Sequence, residues 1–90
     1  MTVRRTVAVI NEKGLHARAS AKFVKLAMGF DAEIRVTRED STVDARSIMA
    51  LMMLAAGVGS EIEIEAEGPQ EAEAVDALVQ LVSNRFDEDR

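Results

Sequence analysis

Seven residues in the second half of the chain, Glu61-Ile62-Glu63-Ile64-Glu65-Ala66-Glu67, alternate strictly between glutamate and an apolar side chain. Successive side chains of a β-strand point to opposite faces, so this segment reads as a strand with one apolar face and one face of four carboxylates. A sheet built on it is packed on one side and open to water on the other. Four like charges in a row also need neighbours of the other sign. Arg4 and Arg35 fall on outward positions of two further strands, and placing the glutamate strand between them relieves the repulsion. The expected strand order is therefore first, fourth, second, third.

The other segments fit around that strand. Residues 3–10 alternate as a strand with Val7 and Val9 inward. Ala19, Phe23, Leu26, Ala27 and Phe30 form a helical stripe, which predicts a first helix over about 17–28, with Gly29 as its C-cap. Residues 32–37 and the short pair Thr42 and Val43 make a hairpin. A second helix is expected over 46–54, with Ser47 as a plausible N-cap and Gly57-Val58-Gly59 ending it. Its side chains Ile48, Met49, Leu51, Met52, Met53 and Leu54 lie nearly all round the axis, so some must be exposed or meet a partner. Gly68-Pro69 opens the last helix, whose buried stripe is Val75, Leu78, Val79, Val82 and Phe86; residues 87–90 are expected to fray. The pattern βαββαβα predicts an α+β fold, an open-faced two-layer sandwich of three helices on one face of a four-stranded antiparallel sheet.

Ninety residues suffice for a single domain, 1–90, and not for two. The chain has no cysteine, which excludes disulfides and thiolate chemistry. No apolar run approaches the roughly 20 residues of a membrane span, so no membrane insertion is expected and the chain reads as cytoplasmic. The net charge of -5 is unevenly distributed. Residues 1–45 hold eight Lys and Arg against six Asp and Glu, whereas residues 46–90 hold three against ten. Acidic overall, with 3% aromatics, the chain is a poor binder of nucleic acid.

The basic part contains the lone histidine. In Asn11-Glu12-Lys13-Gly14-Leu15-His16-Ala17-Arg18-Ala19-Ser20, Gly14 lets the chain leave a strand at unusual backbone angles, and good helix formers begin at Ala17. His16 therefore falls at or beside a helix N-cap. The first amides of a helix lack internal partners and carry the positive end of its dipole, so an anion joined to the imidazole would meet donors already aimed at it. Arg18 adds a planar fork suited to phosphate oxygens. Lys22 and Lys25 continue a basic helix face, which is either solvated or touches an acidic partner. One histidine without cysteine cannot build a metal site, and no cofactor is expected.

The run 11–18, with Gly14-Leu15-His16-Ala17-Arg18, resembles the active-site motif of HPr, the histidine phosphocarrier family of the phosphoenolpyruvate phosphotransferase system. Arg46-Ser47-Ile48-Met49 resembles that family's second signature, about thirty residues further on. The resemblance covers essentially the whole chain. It implies a stoichiometric carrier rather than an enzyme: His16 accepts a phosphoryl group from phospho-Enzyme I, through Nδ1 in family members, and gives it to a IIA-type protein. Arg18 would orient the phosphate and the amides of Ala17 and Arg18 would cradle it. Ala21, Lys25, Ile48, Met49, Met52 and Met53 match the partner-docking surface of a monomer. Ser47 matches the position that an HPr kinase/phosphorylase modifies in some members.

One position departs from the family pattern: Ala19 stands where many members have proline, and Ala-Ser here is associated with the nitrogen-related branch, NPr. Ser47 keeps two compatible readings, N-cap and regulated site. Two other functions compete with the carrier: a regulatory module whose phosphorylation state selects partners, and a ligand-sensing domain without phosphotransfer. The second leaves His16-x-Arg18 at a helix start unexplained.

Overall fold

The glutamate strand occupies an inner position of the sheet. In the computed structural model, which describes residues 2–90, the elements are β1 (Thr2–Ala8), α1 (Ala17–Ala27), β2 (Glu33–Arg38), β3 (Ser41–Asp44), α2 (Ile48–Met53), β4 (Glu61–Glu67) and α3 (Glu71–Ser83). The sheet runs β1-β4-β2-β3 with every pairing antiparallel, as the charge argument required. Glu65 lies opposite Arg4 on one side and Arg35 on the other. Its two carboxylate oxygens accept from Arg4 Nε at 2.8 Å and Arg35 Nε at 3.0 Å. The bond from Arg35 is the main reason the Glu65 carboxyl lies below its ordinary range; burial opposes it and Arg4 adds to it.

The other face of β4 is the floor of the core. Ile62, Ile64 and Ala66 are buried there with Phe23 and Ala27 of α1, Leu51 of α2, and Val75, Leu78 and Val82 of α3. Boundaries moved where a side chain or a backbone angle overrode the simple pattern. Helix α2 begins at Ile48, because Ser47 Oγ accepts from Ala50 N–H at 3.1 Å and so fixes the N-cap. It stops at Met53; Leu54 is the C-cap, Ala55 follows at φ +53°, and Arg38 Nη1 donates to Leu54 O at 3.2 Å. The C-cap of α1 is Met28 in ordinary right-handed geometry, not Gly29. Pro69 precedes α3, whose N-cap is Gln70.

The largest difference lies at the C-terminus. Phe86 is fully buried, but not as part of the α3 stripe. Arg85, Phe86 and Asp87 take φ values of +57°, +53° and +63°, a left-handed turn made without glycine. Such residues cost about 1–2 kcal/mol each, so the turn needs compensation. Burial of the Phe86 ring contributes about 1.5–3 kcal/mol, and Lys22 Nζ donates to Phe86 O at 2.8 Å. Beyond it, Glu12 N–H donates to Arg90 O at 3.0 Å. Residues 87–90 therefore fold back on the 11–16 turn, and the expectation of a fraying tail is wrong.

That turn is itself clamped from the other side. Gly14 adopts φ +63°, and a Cβ there would sit 2.4 Å from Ala56 O and 2.8 Å from Gly57 Cα. Leu15 N–H donates to the same Ala56 O at 2.9 Å. Gly14→Ala should accordingly lower stability by about 2–4 kcal/mol, from left-handed strain and overpacking together, as urea unfolding would measure. For Glu65, the lowered carboxyl makes its contribution present above the usual carboxylate range and lost as pH falls through the folded value. Glu65→Gln should cost about 1 kcal/mol at neutral pH and flatten the acid limb of a stability–pH curve; an unchanged limb would refute the assignment.

Candidate functional site

His16 is the N-cap of α1, with extended backbone (φ -78°, ψ -177°). The first helical hydrogen bond runs from Ser20 N–H to His16 O at 2.9 Å, so the amides of Ala17, Arg18 and Ala19 precede the internal ladder. Position 19 thus needs no amide donor, which is why the usual proline and the present alanine both suit it. Ser20, fully buried, donates from Oγ to Leu15 O at 3.3 Å and braces the turn from below. Ala17 and Arg18 are exposed beside the imidazole.

The imidazole does not stand alone. His16 Nε2 and Glu88 Oε2 are 2.5 Å apart. The other Glu88 oxygen accepts from Asn11 Nδ2 at 3.0 Å, and the same amide donates to Gly14 O at 2.9 Å. Asn11 is fully buried and so ties the turn to the C-terminal segment. Burial pushes the Glu88 carboxyl up, but the Asn11 amide and the His16 ring, with the charge of Lys13, outweigh it and hold the carboxyl below its usual range. An ionised carboxylate can only accept, so Nε2 carries the hydrogen. In the neutral ring Nδ1, the nitrogen nearer the backbone, then keeps the lone pair.

The resulting recess mixes charges that the sequence keeps apart. Lys13, Arg18, Lys22 and Arg90 line it together with Glu12, Asp87, Glu88 and Asp89. The basic surroundings that the sequence gives the histidine are therefore balanced by the C-terminal segment. Lys22 is committed to Phe86 O, while Arg18, Lys13 and Arg90 are exposed on the recess, Arg18 two residues from His16 on α1; Ala21 and Lys25 are exposed further along α1.

Helix α2 supplies the apolar side of the same region. Leu51 and Leu54 are buried, while Ile48, Met49, Met52 and Met53 are exposed, Met49 and Met53 by 74% and 80%. The surplus hydrophobicity of the 46–54 segment is thus outward-facing. The chain leaving α2 reaches Ala56, whose carbonyl holds Leu15, so the patch and the histidine turn share a backbone contact. Ser47 is partly buried at the N-cap of α2. Sequence reading missed Asn11 and Glu88. Only the juxtaposition of residues 77 positions apart gives either of them a role.

Among the described residues no helix is long and apolar enough to cross a membrane. A family model described as "PTS HPr component phosphorylation site" matches residues 3–84. The phosphocarrier protein HPr of Cupriavidus necator is 51% identical over 86 residues, 96% of this chain and 97% of that protein. The phosphocarrier protein NPr of Escherichia coli is 46% identical over 90 residues, 99% of this chain and all of that one. The crystal structure of HPr from Thermoanaerobacter tengcongensis superposes with a TM-score of 0.93 at 39% identity, covering 98% of this chain and 99% of that one. With its sheet order, its helix-capping histidine and these relatives in agreement, the chain belongs to the HPr family of phosphocarrier proteins of the phosphotransferase system.

Proposed function

We propose that this chain, as one domain, accepts a phosphoryl group on His16 from phospho-Enzyme I and passes it to a IIA-type protein. The observation that carries the reading is the place of His16: a partly exposed imidazole at the N-cap of an 11-residue helix, with Arg18 exposed beside it. Imidazole suits a transient carrier because a neutral ring nitrogen attacks phosphorus near pH 7 and the phosphoramidate stays reactive toward the next acceptor. Transfer of this kind needs alignment and charge stabilisation above all. The amides of Ala17 and Arg18 and the Arg18 guanidinium are in place to supply both.

Docking is assigned to Ala21 and Lys25 of α1 and to Ile48, Met49, Met52 and Met53 of α2. An exposed methionine face adapts to differently shaped partners, which a protein serving both a donor and an acceptor requires. Ser47 is assigned as the site of an HPr kinase/phosphorylase. A phosphate there would replace the hydroxyl that now caps α2 and set a dianion beside the methionine face.

Incubation with Enzyme I and labelled phosphoenolpyruvate should give acid-labile label that His16→Ala abolishes and that Arg18→Ala accumulates at least about tenfold more slowly. No label on the parent chain would sink the carrier reading, and an unchanged rate in Arg18→Ala would remove its phosphate role. With ATP and a cognate kinase, acid-stable label should appear at Ser47. Ser47→Ala should abolish that label and cost about 1 kcal/mol as a lost cap.

A further inference from the structure

The function above uses His16 and Arg18 but leaves the C-terminal segment without a task. That segment is built, not draped. Phe86 plugs the core, Lys22 Nζ holds Phe86 O at 2.8 Å, and Glu12 N–H holds Arg90 O at 3.0 Å. Between these anchors Glu88 reaches the imidazole. Each of its oxygens has a separate donor: Oε2 the His16 ring, Oε1 the Asn11 amide at 3.0 Å. Because Asn11 also holds Gly14 O at 2.9 Å, the carboxylate is referenced to the turn that positions the histidine.

We propose that Glu88 is a positioning residue for phosphoryl transfer at His16: its carboxylate takes the Nε2 hydrogen, presents Nδ1 as the nucleophile, and balances the positive charge on the ring while Nδ1 bears phosphorus. The role rests on the carrier reading. As the Nδ1–P bond forms, the bond from phosphorus to the donor atom of phospho-Enzyme I breaks, and that atom keeps the electron pair. The Nε2 hydrogen does not leave. The ring therefore becomes an N-phosphoimidazolium cation, and the Glu88 carboxylate 2.5 Å from Nε2 is its counter-ion. In the return step the N–P electrons go back to Nδ1, and the neutral ring regains the tautomer it started from. The logic is that of the buried carboxylate behind a catalytic histidine, which orients the ring and stabilises the imidazolium without itself being protonated.

The test compares Glu88→Ala and Glu88→Gln with the parent chain, using Enzyme I, phosphoenolpyruvate and ¹⁵N-labelled protein. Both variants should remain folded, losing only the stability that the bonds to Glu88 supply, since Phe86, Lys22 and Glu12 still hold the segment. Both should slow His16 phosphorylation by about tenfold and lower its phosphorylated fraction at a fixed donor level, because Gln can accept from Nε2–H but carries no charge. The Nε2–H resonance of His16 should move in Glu88→Ala, a change that a purely structural residue would not produce. Parent-like transfer in both variants, or a resonance that stays put, overturns the role. Faster transfer in Glu88→Ala overturns it too, by making the carboxylate a cover that must be displaced. A labelled parent with unaffected variants defeats Glu88 alone. An unlabelled parent defeats the carrier reading and this role with it.

Discussion

The hydrogen bond from Leu15 N–H to Ala56 O is the contact on which the rest of the functional surface depends. It joins the turn before α1 to the chain leaving α2, two segments about forty residues apart in sequence. The approach is so close that no side chain fits on the turn at that point, where Gly14 at φ +63° faces Ala56 and Gly57. Held there, the chain enters α1 with His16 at the N-cap, and the exposed methionines of α2 are joined to the same contact. The proposed phosphate site and the proposed docking face thus share one backbone clamp.

The sheet carries a different burden. Placing Glu65 between Arg4 and Arg35 satisfies a carboxylate on a face that the helices leave open, and it fixes the register of both neighbouring strands. A slip of one residue would send Ile62 and Ile64 into water and the glutamates into the core. Charge therefore places β4 between β1 and β2, and the hairpin adds β3 at the edge. The helices rely instead on the apolar floor, and their ends follow local capping.

What could be read from the sequence follows from how local each signal is. The alternation at β4, the stripe of α1 and the turn before His16 are each written within a dozen residues, and each folds as expected. Helix ends were less legible. Ser47 was readable as a cap and is one, but Met28 rather than Gly29 as the end of α1, and the stop of α2 at Met53, follow from local backbone hydrogen bonds that periodicity does not register. The C-terminal residues were misread for a physical reason. A run of charged residues after a helix has the composition of a frayed end, and nothing local announces that three non-glycine residues will turn left-handed. The repayment comes from Phe86, Lys22 and Glu12, whose contacts exist only once the chain has folded back.

That return also changes the electrostatics a carrier has to solve. A histidine set only among Lys13, Arg18 and Lys22 would sit in a field that favours the phosphorylated form and resists giving the group away. Binding energy that deepens an intermediate slows its exit. In the folded chain Asp87 and Asp89 enter the same recess as those cations, and Glu88 is held on the imidazole itself. Lys22 is drawn to the Phe86 carbonyl, and Glu88 is directed to the ring edge away from Nδ1. Arg18 and Lys13 remain exposed on the recess, so the attraction for a phosphate proposed at His16 comes from the turn and the start of α1. An acidic segment folded against a basic turn is in this sense compatible with phosphate chemistry. Asp87 and Asp89 offset the pull of the basic turn on a phosphoryl group, while Glu88 steadies the ring proposed to bear it, so a group proposed to pass from protein to protein is neither repelled nor trapped.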